Sequence, residues 1–371
     1  SAANRPSNLI YSVGSGSSIN DGAKIQYNNL YDFFRIANTS FGINISSGSN
    51  AFTISNNSFY ETTSFTPSSA ASYAAIYINN TSGGGFSISE NYVGGNAANC
   101  SGTWVKNAGN SNVFYGIYLN VGSTASSVQG NVIKNINWSN TGSTSWYGVH
   151  IGAGAVNIGT TAGNTIGATT GTGSVVITNT LSGGNVIGIN ISSTGTVDCR
   201  NNKIGAITTA NASTNATHFY GVYKSAVAGT ITISGNTIGS ASTSNSINAS
   251  SASSSNAQSV YGIESDGTGD VTISENVIAN LTNGTTNSTT STLGNINGIN
   301  ISAGNSNIVD KNTVRNLNIA NANNTFGTTT SAIGIALTGT VANRTISGNT
   351  VYGIYNNFTN YAGAVIGIYY A

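Results

Sequence analysis

Charge is what this sequence has least of. Eleven basic and ten acidic residues make up 6% of the 371-residue chain, against about 25% in an ordinary soluble domain. So few Lys and Arg cannot neutralise a run of phosphates or hold anionic lipid, so neither nucleic acid nor a membrane surface is an expected partner. Proline is almost missing, with two residues, and methionine is missing altogether. Two cysteines are too few for a disulfide framework. No run of about 18 apolar residues exists to cross a bilayer, and no 3.6-residue apolar period continues long enough for helices. The net charge of +1, with 38% hydrophobic residues including 18 Tyr and 11 Phe, argues against a disordered chain. Such a chain can bury a core.

Glycine is abundant, at 47 residues, nearly double the usual share of about 7%, and Asn, Ser and Thr supply the polarity that charge does not. These residues recur in register. The pattern apolar-x-x-Asn-x-apolar is clearest at Ile54–Phe59, Ile88–Val93, Ile233–Ile238, Ile273–Ile278 and Ile346–Val351. Its Asn positions are Asn28, Asn57, Asn91, Asn131, Asn164, Asn202, Asn236, Asn276, Asn312 and Asn349, a mean period of about 36 residues. A second block, exemplified by Tyr115-Gly116-Ile117, Tyr220-Gly221-Val222 and Tyr261-Gly262-Ile263, precedes each Asn by a nearly constant interval. Near Ala75 an alanine replaces its glycine. The return from Asn to the next Gly varies in length, so each repeat has a fixed arc and a variable loop.

After each Gly the first and third residues are apolar and the second is polar or Tyr, the alternation of a strand with one buried face. The Asn block reads as two short strands bent at the Asn, and a preceding Gly or Asn suits a left-handed turn. Three short strands per coil, about ten coils and Ser/Thr/Asn-rich loops predict an all-β parallel β-helix solenoid that occupies 1–371 as a single domain. Loops such as 240–259 and 283–292 are low-complexity and could add strands on one side.

The Ile-Ser-Gly-Asn-Thr-Ile blocks resemble the right-handed parallel β-helix repeats of the pectate-lyase-like superfamily, over nearly the whole chain. That resemblance implies a right-handed solenoid in which the recurrent Asn residues form an internal ladder, each amide bonding to the coils above and below. It is specific for fold and not for activity.

Chemistry on this fold needs clustered carboxylates, with Arg or Lys. The best concentration holds His218 and Lys224, then Glu264, Asp266, Asp270 and Glu275, then Asp310, Lys311 and Arg315. Glu264, Asp266 and Lys224 are the candidate catalytic residues: stacked coils would place Lys224 beside the two carboxylates, and an ion pair is the simplest outcome. A glycosidase pair needs carboxyls about 5–9.5 Å apart, which Glu264 and Asp266 could satisfy. Calcium is conceivable at Asp266, Asp270 and Glu275, without a standard loop motif. Asp198, Arg200 and Lys203 should pair around another Asn turn. His150 and His218 have no second ligand at zinc spacing, so no metal site is expected. Cys199 fills an apolar slot and should be buried, and Cys100 lies about three coils away, too far for a disulfide.

The position two after the Gly is the most informative exposed column, reading Asn44, Tyr77, Tyr118, His150, Asn190, Tyr223, Glu264, Asn300, Ala336 and Tyr369. Tyr77, Tyr118, His150, Asn190 and Tyr223 are its candidate ligand-binding residues, because rings stack on sugar faces and amides satisfy hydroxyls. Packing of these rings under the loops is the alternative. Flat Thr rows of the ice-binding kind are not expected.

The chain opens at Ser1 without Met or a leader and ends within a strand-like block at 363–371. We therefore expect a segment of a longer protein, or a subunit that stacks end to end. Charge-poor β-helices of this composition resemble large bacterial surface proteins, including those exported by type IX secretion. The leading expectation is a non-catalytic, extracellular or cell-surface stalk or adhesive segment, in contact with glycans and passed outward by export machinery. The alternatives are a polysaccharide lyase or glycoside hydrolase and a self-assembling fibre or sheath subunit. No cofactor beyond the calcium option is implied.

Overall fold

The computed structural model describes residues 4–15, 18–211, 215–225, 228–251, 257–290, 293–339 and 343–371. All pairs of its named strands are parallel, forming stacked sheets of 11, 10 and 15 strands and a two-stranded patch. The chain is a parallel β-solenoid, as the 36-residue repeat requires.

One coil shows how the sequence makes the path. The glycine strand, Val113–Val121, runs with Phe114, Ile117 and Leu119 buried. Ser126–Gln129 forms the second sheet. The chain then turns at Gly130, whose φ is 62°, and Asn131. Val132–Ile133 enters the third sheet, Asn135 turns the chain again with φ 58°, and Ile136–Asn140 closes the coil.

The strand before each ladder Asn ends in the left-handed region in nine of the ten coils, at Tyr27, Asn56, Glu90, Gly130, Asn201, Gly235, Glu275, Lys311 and Gly348. The charged turn residues Glu90, Glu275 and Lys311 are exposed, and they carry the Cβ–backbone penalty of about 1–2 kcal/mol that Gly avoids in this conformation. The repeat glycines of the first sheet are needed for a different reason. A Cβ on Gly116 would lie 2.5 Å from the Gly148 carbonyl oxygen and 2.7 Å from Ile133 Cδ1, so space and not φ selects glycine there. That crowding also breaks the alternation, leaving both Tyr115 and Tyr118 on the outer face.

The Asn residues form the ladder. Asn164 donates from its backbone N–H and its Nδ2 to Asn202 Oδ1, at 3.0 and 2.8 Å, and from Nδ2 to the Val128 carbonyl at 2.9 Å. The same pattern runs link by link from Asn28 to Asn349. Each inner amide spends its oxygen on two donors and its NH2 on two acceptors, so a buried polar side chain carries no unsatisfied atom. Asn57 through Asn312 are fully buried.

The variable loop conceals a further strand. Ile136–Asn140, Val175–Asn179, Ile207–Asn211 and Ile247–Ser251 stack in register in the third sheet, so a coil has more ordered backbone than the three strands expected. Their first and third residues face the interior and their fifth supplies a second buried polar column at Asn140, Asn179 and Asn211. In Val277–Thr285 the two strands of this sheet fuse into one.

The bore changes along the axis. Toward the N-terminal end it is filled by Phe34, Tyr73, Trp104, Phe114, Trp138 and Trp146, packed edge-to-face and offset at 4.5–6.2 Å. Beyond Trp146 it is almost wholly Ile, Val and Leu, with Phe219 as an aromatic exception.

Candidate functional site

The register of the glycine sheet places the column where the spacing puts it: Asn44, Tyr77, Tyr118, His150, Asn190, Tyr223, Glu264, Asn300, Ala336 and Tyr369 are successive Cα partners, but Asn190, Glu264 and Ala336 are buried, against the expected exposure. Beside it runs a second outward column containing Tyr115, Tyr147, Tyr220 and Tyr261.

Parallel strands about 4.8 Å apart force side chains of one column into contact. Tyr77 and Tyr118 stack at 4.4 Å, Tyr118 and His150 at 5.0 Å, and Tyr115 and Tyr147 at 5.0 Å. Tyr147 meets His150 edge-on at 4.8 Å. The rings therefore cover one another's faces, and what this stack offers a ligand is ring edges, hydroxyls and ring nitrogens. Face-on sugar stacking, the reason for expecting ligand contacts at Tyr77 and Tyr118, has no open ring face within the stack.

Asn190 ends the stack, donating from Nδ2 to His150 Nδ1 at 3.1 Å and to Ser192 Oγ at 2.8 Å. Burial pushes the His150 pKa down to about 4, so the ring is neutral and its proton sits on Nε2. His218 is fixed the same way. Its Nδ1 accepts the Ser259 N–H at 3.0 Å and burial lowers its pKa, leaving Nε2–H as a donor.

Between the second column and the loops a cleft of about 760 Å³ opens along the sheet. Its floor carries Tyr115, Ser145, Tyr147, Asn185 and His218, and residues 143–144, 182–184 and 215–216 form its wall. None of the described residues that line it is Asp, Glu, Lys or Arg. Hydroxyl, amide and imidazole groups facing one trough can exchange many neutral hydrogen bonds with a polar chain.

The acidic cluster is arranged differently from the sequence expectation. Lys224 pairs in register with Ile191 and Ser265 and is fully buried in the inward column of the sheet, whereas Glu264 is outward. The expected Lys224–Glu264 ion pair thus fails on geometry, because the two side chains leave opposite faces. Burial lowers the Lys224 pKa, while Asp266 and Asp270 act to raise it. Glu264 receives Asn300 Nδ2 at 3.0 and 2.9 Å, and burial pushes its pKa up to about 8, opposed by Asn300 and reinforced by Asp266. Asp266 accepts the Tyr223 hydroxyl at 2.7 Å.

Among the described residues no three His, Cys, Asp or Glu side chains converge as a metal site, so Asp266, Asp270 and Glu275 do not form one together. Asp198 and Arg200 pair at 2.5 Å on the surface. Cys100 and Cys199 are buried and unbonded to each other.

Comparison with family models, with curated proteins and with solved structures finds no match.

The cleft was not legible in the sequence, because its wall comes from loops of unequal length. The signal that could have found its floor is the run of Tyr immediately before the repeat glycine, at Tyr115, Tyr147, Tyr220 and Tyr261.

Proposed function

We propose that the protein is a rigid, non-catalytic extracellular or cell-surface β-helix whose glycine-sheet face holds a neutral, hydroxyl-rich polymer, a glycan in extended form. The observation that carries this reading is the uncharged cleft on Tyr115, Tyr147, Asn185 and His218. A trough without formal charge has nothing with which to neutralise a uronic acid, and burying an unpaired carboxylate there is costly. The solenoid is suited to such a ligand because its axis repeats the backbone at a constant step, so an extended chain meets one outward side chain of each column at every coil. The test is titration calorimetry against neutral and uronic-acid oligosaccharides. The reading requires neutral ligands to bind and Tyr147→Ala to weaken them about tenfold or more, as for a buried contact at the centre of a site. Equal or tighter binding of the acidic series would overturn it.

A second reading, glycoside hydrolysis, has one observation in its favour. Glu264 is a buried carboxyl held protonated beside Asp266, the pairing of acid and carboxylate that such chemistry uses. Under that reading Glu264→Gln abolishes turnover of a neutral glycan that the wild type cleaves. A lyase is less well served, since Lys224 does not reach the outer face.

A further inference from the structure

A lysine without a carboxylate partner lies inside the aromatic end of the bore. Lys106 is fully buried on the strand Trp104–Lys106, and among the described residues no acidic group pairs with it. Its Nζ lies 2.8 Å from Asn140 Oδ1 on the next coil, with the carbonyls of Asn110 at 2.8 Å and Ser139 at 2.5 Å. The Trp138 ring centroid is 5.3 Å away. The same Asn140 Oδ1 accepts the backbone N–H of Asn112 at 3.2 Å, so the carboxamide carbonyl is polarised by a donor that the fold fixes.

We propose that Lys106 and Asn140 form an intramolecular isopeptide bond that staples two successive coils. The neutral amine attacks Asn140 Cγ, a Cγ–Nζ bond forms and the Cγ–Nδ2 bond breaks. One amine proton passes to the departing nitrogen, which leaves as ammonia. No oxidant, reductant or water is consumed. Nucleophile and carboxamide are held together in a fully buried site beside the Trp138 ring, where orientation supplies much of what a bimolecular amidation lacks. The three oxygens match the three N–H bonds of the ammonium form. Burial without a counter-charge pushes the Lys106 pKa down to about 7, and loss of the proton donated to Asn140 Oδ1 frees the lone pair toward Cγ. The Asn112 N–H stands where negative charge develops on oxygen.

The bond would lie within the aromatic end of the molecule and tie residues 34 apart in sequence. It would make that end resist both denaturant and pulling, independently of any ligand in the cleft.

Intact mass spectrometry of the denatured full chain, followed by peptide mapping, tests it. The expected result is a mass below the sequence mass by one ammonia and a branched peptide joining Lys106 to Asn140, with Lys106→Arg and Asn140→Ala restoring the full mass. If either variant fails to fold, the wild-type map decides alone. The full sequence mass after prolonged incubation of the folded protein at mildly alkaline pH overturns the proposal. So does an ammonia loss confined to linear peptides, as from a succinimide, with Lys106 open to an amine reagent.

Discussion

Two columns of side chains run the length of this solenoid, and they obey different rules. The inner one is Asn at every step from Asn28 to Asn349, with each inner amide's bonds closed against the coils above and below. The outer one, on the glycine strands of the first sheet and with the same period, reads Asn, Tyr, Tyr, His, Asn, Tyr, Glu, Asn, Ala and Tyr. Inside, a change leaves partners without water to replace the lost bond. Outside, a change at a partly exposed ring such as Tyr77 or Tyr118 is met by solvent and by the next ring, although burial is enough to shift the pKa of members such as His150 and Glu264. Uniformity along the axis marks what holds the coil, and variation marks where the molecule can differ in what it touches.

The sharpest way to break the comparison is to treat the inner column as if it were the outer. Asn202→Ala removes the acceptor of both Asn164 donors and leaves the Ile158 carbonyl and Asn236 Oδ1 each one donor short. Buried orphans cost about 1–3 kcal/mol each, so a loss of about 4 kcal/mol is expected in denaturant unfolding. A loss below about 1 kcal/mol would place the ladder among ornamental contacts.

Gly188→Ala comes next. Its Cβ would stand 2.6 Å from the Gly221 carbonyl oxygen and 2.9 Å from Ile204 Cγ2, and overpacking of this kind costs about 1–3 kcal/mol. Tyr118→Ala, in the outer column, should cost a comparable amount: it forfeits stacking on both Tyr77 and His150, worth about 0.5–1.5 kcal/mol per aromatic pair, while the circular dichroism of the sheet stays unchanged.

A pH effect separates two members of the outer column from each other. His150 has a folded pKa of about 4 against an ordinary 6.5, so the unfolded chain binds its proton first and stability falls as pH drops through that window. Glu264 has a folded pKa of about 8 against 4.5. Its contribution is complete below about pH 4.5 and disappears as pH rises through 8. Unfolding midpoints measured across pH should flatten on the acid side in His150→Asn and on the alkaline side in Glu264→Gln. The same slope in variant and wild type would show that neither group is buried as described.

Most of the fold was legible because its determinants are local and periodic. Ile233-Ser234-Gly235-Asn236 states a strand, a left-handed turn and a ladder amide in four residues, and repetition makes it unmistakable. The strand hidden in the loop was harder to read, because Ile207–Asn211 and Ile247–Ser251 alternate only over five residues and follow connections of different length. Lys224 was misplaced because a charged residue reads as exposed. Its position, third after Gly221, nevertheless belongs to the inward set with Ile191 and Ile301. Lys106 hides for the same reason. The wall of the cleft was the part that could not be read, since it is made by loop residues of unequal-length connections just before and at the start of the glycine strands.

The account stands or falls on whether outer-face variation is functional. Titration calorimetry of Tyr147→Ala and Asn202→Ala against the neutral oligosaccharide bound by the wild type tests this most directly. The account predicts crossed results: Tyr147→Ala loses binding with a stability loss no larger than that of the two aromatic contacts it forfeits, and Asn202→Ala loses more stability while the fraction still folded binds as the wild type does. Binding unchanged in Tyr147→Ala would contradict it.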